Sequence, residues 1–410
     1  MPDKPFANEH FPPHIQAMAE RMNLAEEKVR PDCLATLPTV AGRTREELLQ
    51  PFTDEVYGVI PPSCEKLEIQ VTSEGPAFDG LGLRREISLI CRQRKEEQAL
   101  RMLLYLPANA PKPVGVFFGL NFRGNLGVTT DPEVTFFPFR RYGDLPISRL
   151  RYADSRCDET TRGSLAGRWE IENTLRHGCA VATIGYFDIY PDRPVGVFQD
   201  SAMRLFYTEE QWHSPARESG AISAWAWGVM RGIDCLCEQP EIDRDKIAVL
   251  GHSRLGKTAL WAGANDPRIA LVISNCSGTL GAKLSHRNFG ESFEWIDLWN
   301  PHWTRASFRK YVRHEEMFPV DQHWLMAAIA PRRLMVISAT EDLYADPRGE
   351  YLALQMASPA WGKEDAMPPS PPPPGQLRRS QAGHLGYYLR QAPHSIALEN
   401  WNAILDFAGF

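Results

Sequence analysis

The sequence predicts an α/β protein with an open, mostly parallel central β-sheet, antiparallel leading strands and helices on both faces. Three observations carry this reading. Alternating β-rich segments come first, at Lys66–Thr72, Arg85–Arg92 and Ala99–Leu106, separated by polar breaks as in an antiparallel meander. Short unbroken apolar runs then alternate with segments of helical period, the pattern of doubly covered strands joined by crossover helices. Finally, the run Ile247 to Leu250 meets Gly251 and Ser253 and turns at once into a helix pattern at Leu255, Ala259 and Leu260.

In chain order, residues 1–45 read as an amino-terminal arm over the main body, with a helix from Pro13 to Val29, and residues 46–410 as one domain. Glu46 to Tyr57 carries Leu48, Leu49, Phe52 and Val56 at helical spacing and stops at Gly58 and Pro61-Pro62. Val114–Leu120 is the first buried strand after the meander, and it empties into the loop Gly119–Asn125. Residues 126–165 show no assignable element. Trp169–Arg176 is expected as a helix, Ala180–Gly185 as a strand, and Gly220–Glu238 as a helix buried on most sides. After the elbow strand come a strand at Ile269–Asn275, a loop to about residue 310, a strand at Arg333–Ala339 and a helix at Arg348–Met356. Met367 to Gly375 reads as a stiff, proline-dense solvated excursion. Leu385–Arg390 is the last strand and Ala397–Phe407 the last helix.

Composition excludes several classes. A net charge of −6 gives no reason to expect nucleic acid or an anionic membrane as partner. The 8 cysteines show no CxxC spacing and no compact His/Cys cluster, so no zinc site is expected. Cys179 and Cys235 fall in apolar runs and read as buried thiols. No apolar stretch follows Met1, so no signal peptide is expected, and the chain reads as cytoplasmic or as a trimmed mature form.

The turn around Ser253 has the geometry of a nucleophile elbow, in which a sharp strand-to-helix turn lifts the hydroxyl above the sheet. The usual pattern is G-x-S-x-G; here Leu255 fills the last position and Gly256 follows one later. A serine needs a base. In such sheets the base sits between the last strand and the last helix, which selects His394, whereas His384 precedes that strand and belongs at its opposite end. His252, adjacent to Ser253 on the strand, reads as structural. The carboxylate that orients the base is expected at Asp342, on the loop after Arg333–Ala339, giving the α/β-hydrolase chain order Ser, Asp, His. Glu341 and Asp346 are its rivals; Asp346, before Pro347, reads as a helix-start device. The Arg254 amide and the Gly119–Asn125 loop are expected to meet the oxyanion. The Arg254 side chain either reaches the same charge or pairs with a helix neighbour.

Around these residues the motif Gly251-His252-Ser253-Arg254-Leu255-Gly256-Lys257 resembles the G-x-S-R-x-G-K elbow of the glucuronoyl esterases, carbohydrate esterase family 15. Trp225-Ala226-Trp227-Gly228, Ser285–Glu291, Pro301-His302-Trp303, Ala345-Asp346-Pro347 with Gly349-Glu350, and Gly386-Tyr387-Tyr388 extend the likeness. It implies an α/β-hydrolase fold and a serine esterase that cleaves 4-O-methyl-glucuronoyl esters linking xylan to lignin alcohols. By the same resemblance the Arg254 side chain joins the oxyanion hole, and Lys257 and Glu291 bind hydroxyls of the uronic sugar. No metal or organic cofactor is implied, the protein is expected to be a monomer, and family membership implies a secreted or periplasmic site. Two positions depart from the pattern. Many members carry an acidic triad residue in a Glu-Ser-Gly segment, replaced here by Cys276-Ser277-Gly278, and Tyr344 stands where a tryptophan usually flanks the sugar. An acetyl-xylan-type esterase and a catalytically silent carbohydrate binder are the alternative readings.

Overall fold

Ten strands form one sheet in the computed structural model, which describes residues 22–29, 32–137 and 159–410. They are β1 (Lys66–Ala77), β2 (Gly82–Gln93), β3 (Glu96–Pro107), β4 (Val114–Asn121), β5 (Ala180–Gly185), β6 (Ile242–His252), β7 (Leu271–Asn275), β8 (Arg333–Ala339), β9 (Leu377–Arg379) and β10 (Leu385–Arg390). Their spatial order is β1-β2-β3-β5-β4-β6-β7-β8-β10-β9. The meander β1-β2-β3 is antiparallel and joins β5 antiparallel. From β5 through β4, β6, β7 and β8 to β10 every pairing is parallel.

The central strands alternate between two apolar layers because successive side chains point to opposite faces. Val116 and Phe118 of β4 enter one layer with Trp225 and Trp261, and Phe117 enters the other with Trp169 and Trp401. The first layer is covered by α1 (Arg45–Glu55), α2 (Ala221–Cys237), α3 (Arg254–Asn265) and α4 (Pro347–Ala357), and the second by α5 (Leu398–Ala408). Thr44 and Glu47 cap α1 reciprocally, which fixes where that helix begins. Helix α2 lies close on the sheet because Gly232 has no side chain: a Cβ there would stand 2.3 Å from Phe118.

Several elements differ from expectation. The helix at Trp169–Arg176 is two short helices, Ala166–Trp169 and Ile171–Arg176, broken at Glu170, whose φ of 43° cannot continue a right-handed helix. The loop to residue 310 contains a helix, Phe293–Trp299, started by a Ser292 cap on the Trp295 amide. Just beyond the proline-dense stretch, Leu377–Arg379 adds antiparallel to β10, and Met367 anchors the stretch in the core. The helix expected at Pro13–Val29 lies mostly outside the described residues; its described part shows a single 3-10 turn, Glu26–Lys28. That part of the arm lies on the loop before Glu291, through Gly290 N to Asn23 O at 2.8 Å and Arg287 to Glu26 at 2.6 Å. Much of the 126–165 segment also lies outside the described residues.

Candidate active site

Strand β6 runs into α3 without a linker, and Ser253 is the single residue between them, at φ 58° and ψ −127°. A non-glycine residue there costs on the order of 1–3 kcal/mol, so the surroundings must enforce it. They do. A Cβ on Gly251 would lie 1.9 Å from the Leu255 carbonyl oxygen, and one on Gly256 2.9 Å from Ser277 Cβ. The second glycine is therefore needed one position later than the usual pattern, because it is Gly256 that faces Gly251 and the loop after β7, while Leu255 packs into the core. Ser253 N donates to Asn275 O at 2.9 Å, tying the elbow to the end of β7. Helix α3 begins at Arg254, so its first-turn amides point toward the serine and carry partial positive charge.

His394 and Asp342 stand on the loops after β10 and β8, and the ladder between those strands continues past their ends. Thr340 N donates to Arg390 O at 2.9 Å and Glu341 N to Ala392 O at 3.1 Å, which sets Asp342 opposite His394. His394 Nδ1 lies 2.6 Å from Asp342 Oδ2. A carboxylate only accepts, so Nδ1 carries the proton and the neutral ring keeps a lone pair on Nε2. The His394 ring lies 4.5 Å from that of His252, the neighbour of Ser253, tilted by 40°, which brings the imidazole to the elbow. His252 holds its place through Asn275 Nδ2 at 2.7 Å, an amide that also donates to Ser395 O at 3.2 Å. Burial first, then the His394 charge, push the His252 pKa well down and keep it neutral.

The rivals of Asp342 are accounted for. Asp346 caps α4 through Gly349 N at 2.9 Å and pairs with buried Arg287 at 2.8 Å. Glu341 is exposed. His384 lies at the opposite end of β10 and pairs with Asp365 at 2.8 Å.

On the other side of the elbow, the Arg254 guanidinium pairs with Asp192 rather than with a helix neighbour. It lies between the rings of Phe122 at 5.7 Å and Trp303 at 5.3 Å. Asp192 also accepts His302 Nε2 and Trp303 Nε1, both at 2.7 Å. Burial alone would raise the Asp192 carboxyl; the Arg254 charge and the His302 hydrogen bond outweigh it and hold the carboxyl below the usual range. Sequence reasoning noted His302-Trp303 as part of a motif without giving it a role, and did not single out Asp192. A carboxylate has no local signature that pairs it with an arginine 62 residues away, or with an indole N–H 111 residues away.

Lys257, the next residue of α3 on this face, is almost fully buried. Its Nζ donates to Ser277 O at 2.6 Å, to Thr279 O, and to Glu291 Oε2 at 3.0 Å. Burial lowers its pKa against the pull of Glu291. Tyr344 is half-buried beside them: Glu291 N donates to Tyr344 O at 2.8 Å, and the Tyr344 ring meets Trp295 edge-on at 5.6 Å. Cys276, where a carboxylate was expected in many relatives, is buried at φ 48° and faces Asp342. Beneath it, Glu350 accepts Ser277 N at 2.8 Å, Gly278 N at 3.0 Å and Ser338 Oγ at 2.6 Å. Burial pushes the Glu350 carboxyl up to about 8.

Sheet order and elbow together define an α/β-hydrolase. Comparison with known proteins narrows this further. The family described as glucuronyl esterase, fungi, matches residues 189–363. Carbohydrate esterase MZ0003 of an unknown prokaryotic organism is 38% identical over 374 residues, covering 89% of this chain and 84% of that protein. A structure described as a promiscuous CE15 esterase from the marine bacterial metagenome is 36% identical, with TM-score 0.80 over 95% of this chain and 99% of its own. The glucuronoyl esterase of Solibacter usitatus is 33% identical, with TM-score 0.83 over 94% and 99%. The chain belongs to carbohydrate esterase family 15, the glucuronoyl esterase family, and is a serine-esterase-type carboxylic ester hydrolase.

Proposed function

We propose that this protein hydrolyses esters of 4-O-methyl-glucuronic acid, such as those joining xylan to lignin alcohols, through an acyl-enzyme on Ser253. Ser253 Oγ attacks the C6 carbonyl as His394 Nε2 takes its proton, and Asp342 holds the tautomer and stabilises the imidazolium. The developing oxyanion forms beside the first amides of α3 and the Arg254 guanidinium, which Asp192 keeps in place. His394 then gives its proton to the leaving alcohol. Water, deprotonated by the same ring, attacks the acyl-enzyme and releases the uronic acid and Ser253.

The observation that supports a uronic acyl group is the buried ion pair between Lys257, on the helix that begins at Arg254, and Glu291, on the loop before the Phe293–Trp299 helix. The Lys257 ammonium has its three donors on Ser277 O, Thr279 O and Glu291 Oε2, so a sugar hydroxyl would enter by donating to the other Glu291 oxygen or by replacing one of the two carbonyls at Lys257. An acetyl group carries no hydroxyl to make either contact. Tyr344, beside Glu291, is assigned as a wall of the same pocket. The protein is proposed to act as a monomer.

The test is hydrolysis of benzyl glucuronate beside a simple benzyl acetate by wild type and Ser253→Ala. Glucuronate turnover well above acetate turnover, and lost with the serine, is the expected result. Turnover of acetate alone would keep the triad and discard the uronic assignment. Binding without turnover of either would leave a silent carbohydrate binder.

A further inference from the structure

The spacing of cysteines and histidines in the chain announces no metal site, yet among the described residues the fold gathers one set of mixed donors. The Cys276 thiol, a carboxylate oxygen of Asp342 and a ring nitrogen of His394 all lie within 4.8 Å of one another. They come from the loops after β7, β8 and β10, neighbouring strands of the parallel sheet, so the sheet itself sets their separation. We propose that Cys276, Asp342 and His394 form a three-donor site for a soft divalent cation such as Zn2+, whose binding switches the esterase off. The inhibitory consequence rests on the reading of His394 as the base; the site itself does not.

The geometry is close to what such an ion needs. Bonds of about 2.3 Å to sulfur and about 2.0–2.2 Å to nitrogen and oxygen, tetrahedrally arranged, put ligand atoms roughly 3.5 Å apart. The donors need to close by about an ångström, while the Asp342–His394 contact of 2.6 Å has to open. His394 can supply both movements, because its side chain is 41% exposed and stands on a loop. The charge also balances: one dication meets one thiolate, one carboxylate and a neutral imidazole, with water as the fourth ligand. A sulfur and an imidazole nitrogen select Zn2+ over Mg2+ or Ca2+, which take oxygen.

The proton account explains the inhibition. The thiol proton leaves to solvent. The metal takes the Nδ1 lone pair of His394, so the ring's one proton moves to Nε2, the atom that must accept from Ser253. The ion thus occupies the place of the Asp–His hydrogen bond and leaves the serine without a base. A cofactor role is excluded by the same geometry, since the ion displaces the catalytic tautomer.

Cobalt(II) provides a readout that needs no turnover, because a thiolate–cobalt bond gives near-ultraviolet charge-transfer absorption. Titration of wild type and Ser253→Ala with CoCl2, in a chelator-free buffer with a non-thiol reductant, is expected to produce that band in both and in neither Cys276→Ser nor Cys276→Ala. His394→Gln, a change at an exposed position, is expected to weaken Co2+ binding by about tenfold or more. In parallel, ZnCl2 is expected to inhibit the wild type reversibly with EDTA, MgCl2 to leave it unchanged, and Cys276→Ser to need at least about tenfold more Zn2+. No Cys276-dependent band overturns the site. A band without loss of activity overturns the switch, and equal Zn2+ inhibition of wild type and Cys276→Ser overturns the assignment of inhibition to this site. Should wild type turn over no glucuronate ester, the cobalt band still decides whether the ion binds.

Discussion

The two sides of Ser253 are built differently. On one side Arg254, Asp192, His302 and Trp303 form a closed cluster: the guanidinium lies between rings, and Asp192 is 6% exposed with three side-chain donors on it. On the other, His394 is exposed and has one polar anchor among the described residues, Asp342, with the tilted His252 ring beside it. The difference matches the chemistry proposed for each side. A group that stabilises a developing charge works best when it need not reorganise, so it is locked and dry. A base must exchange protons with alcohol and water, so it stays at the surface, and its orientation hangs on a single carboxylate.

The contrast breaks most severely if that carboxylate is neutralised. Asp342→Asn is expected to lower kcat by on the order of 10⁴ through the wrong tautomer, with Glu341→Gln unchanged. Equal losses in both, measured as steady-state kcat on benzyl glucuronate, would mean that the loop rather than Asp342 orients the base.

On the locked side the first effect is on stability. Asp192→Ala strands a buried guanidinium and is expected to cost about 3–5 kcal/mol in urea unfolding. Arg254→Ala is expected to lower kcat by about 10²–10³ with a smaller change in KM, as for loss of one oxyanion donor. A KM change with kcat intact would move Arg254 from the transition state to ground-state binding.

Lys257→Met sharpens the comparison within the locked side, because Lys257 is proposed to serve binding rather than charge development. Loss of a charged hydrogen bond of about 1.5–3 kcal/mol corresponds to roughly 10- to 100-fold in KM for the glucuronate, with acetate turnover unaffected. The smallest effect belongs to Glu350, which touches neither side directly. Its carboxyl is raised from 4.5 to about 8 by burial, so the unfolded chain ionises first as pH rises. Between those values the folded state binds the extra proton, and stability falls with rising pH. Thermal unfolding of wild type is expected to decline more steeply from pH 5 to 8 than that of Glu350→Gln; parallel slopes would show that the carboxyl is not held protonated.

The sequence made the parallel strands readable because each is a short apolar run between polar breaks: Ala180–Gly185, Arg333–Ala339 and Leu385–Arg390 begin and end where the pattern does. The break at Glu170 was invisible because a single residue in left-handed geometry leaves the apolar period intact. Strand Leu377–Arg379 was hidden by its brevity and by the prolines before it. At the site, the elbow and the Asp342–His394 pairing could be reasoned from chain order, since the fold places loops after successive strands side by side. Asp192 and Cys276 could not. Their partners are set by sheet order and loop packing, and neither a lone carboxylate nor a lone thiol carries that information locally.

The central claim is the acyl-enzyme on Ser253, and acid-quenched mass spectrometry during the first turnovers of benzyl 4-O-methyl-glucuronate addresses it directly. The account predicts one uronoyl adduct per chain, mapping to the peptide that contains Ser253 and absent from Ser253→Ala. Product formed at full rate by Ser253→Ala, or an adduct on another peptide, would contradict it.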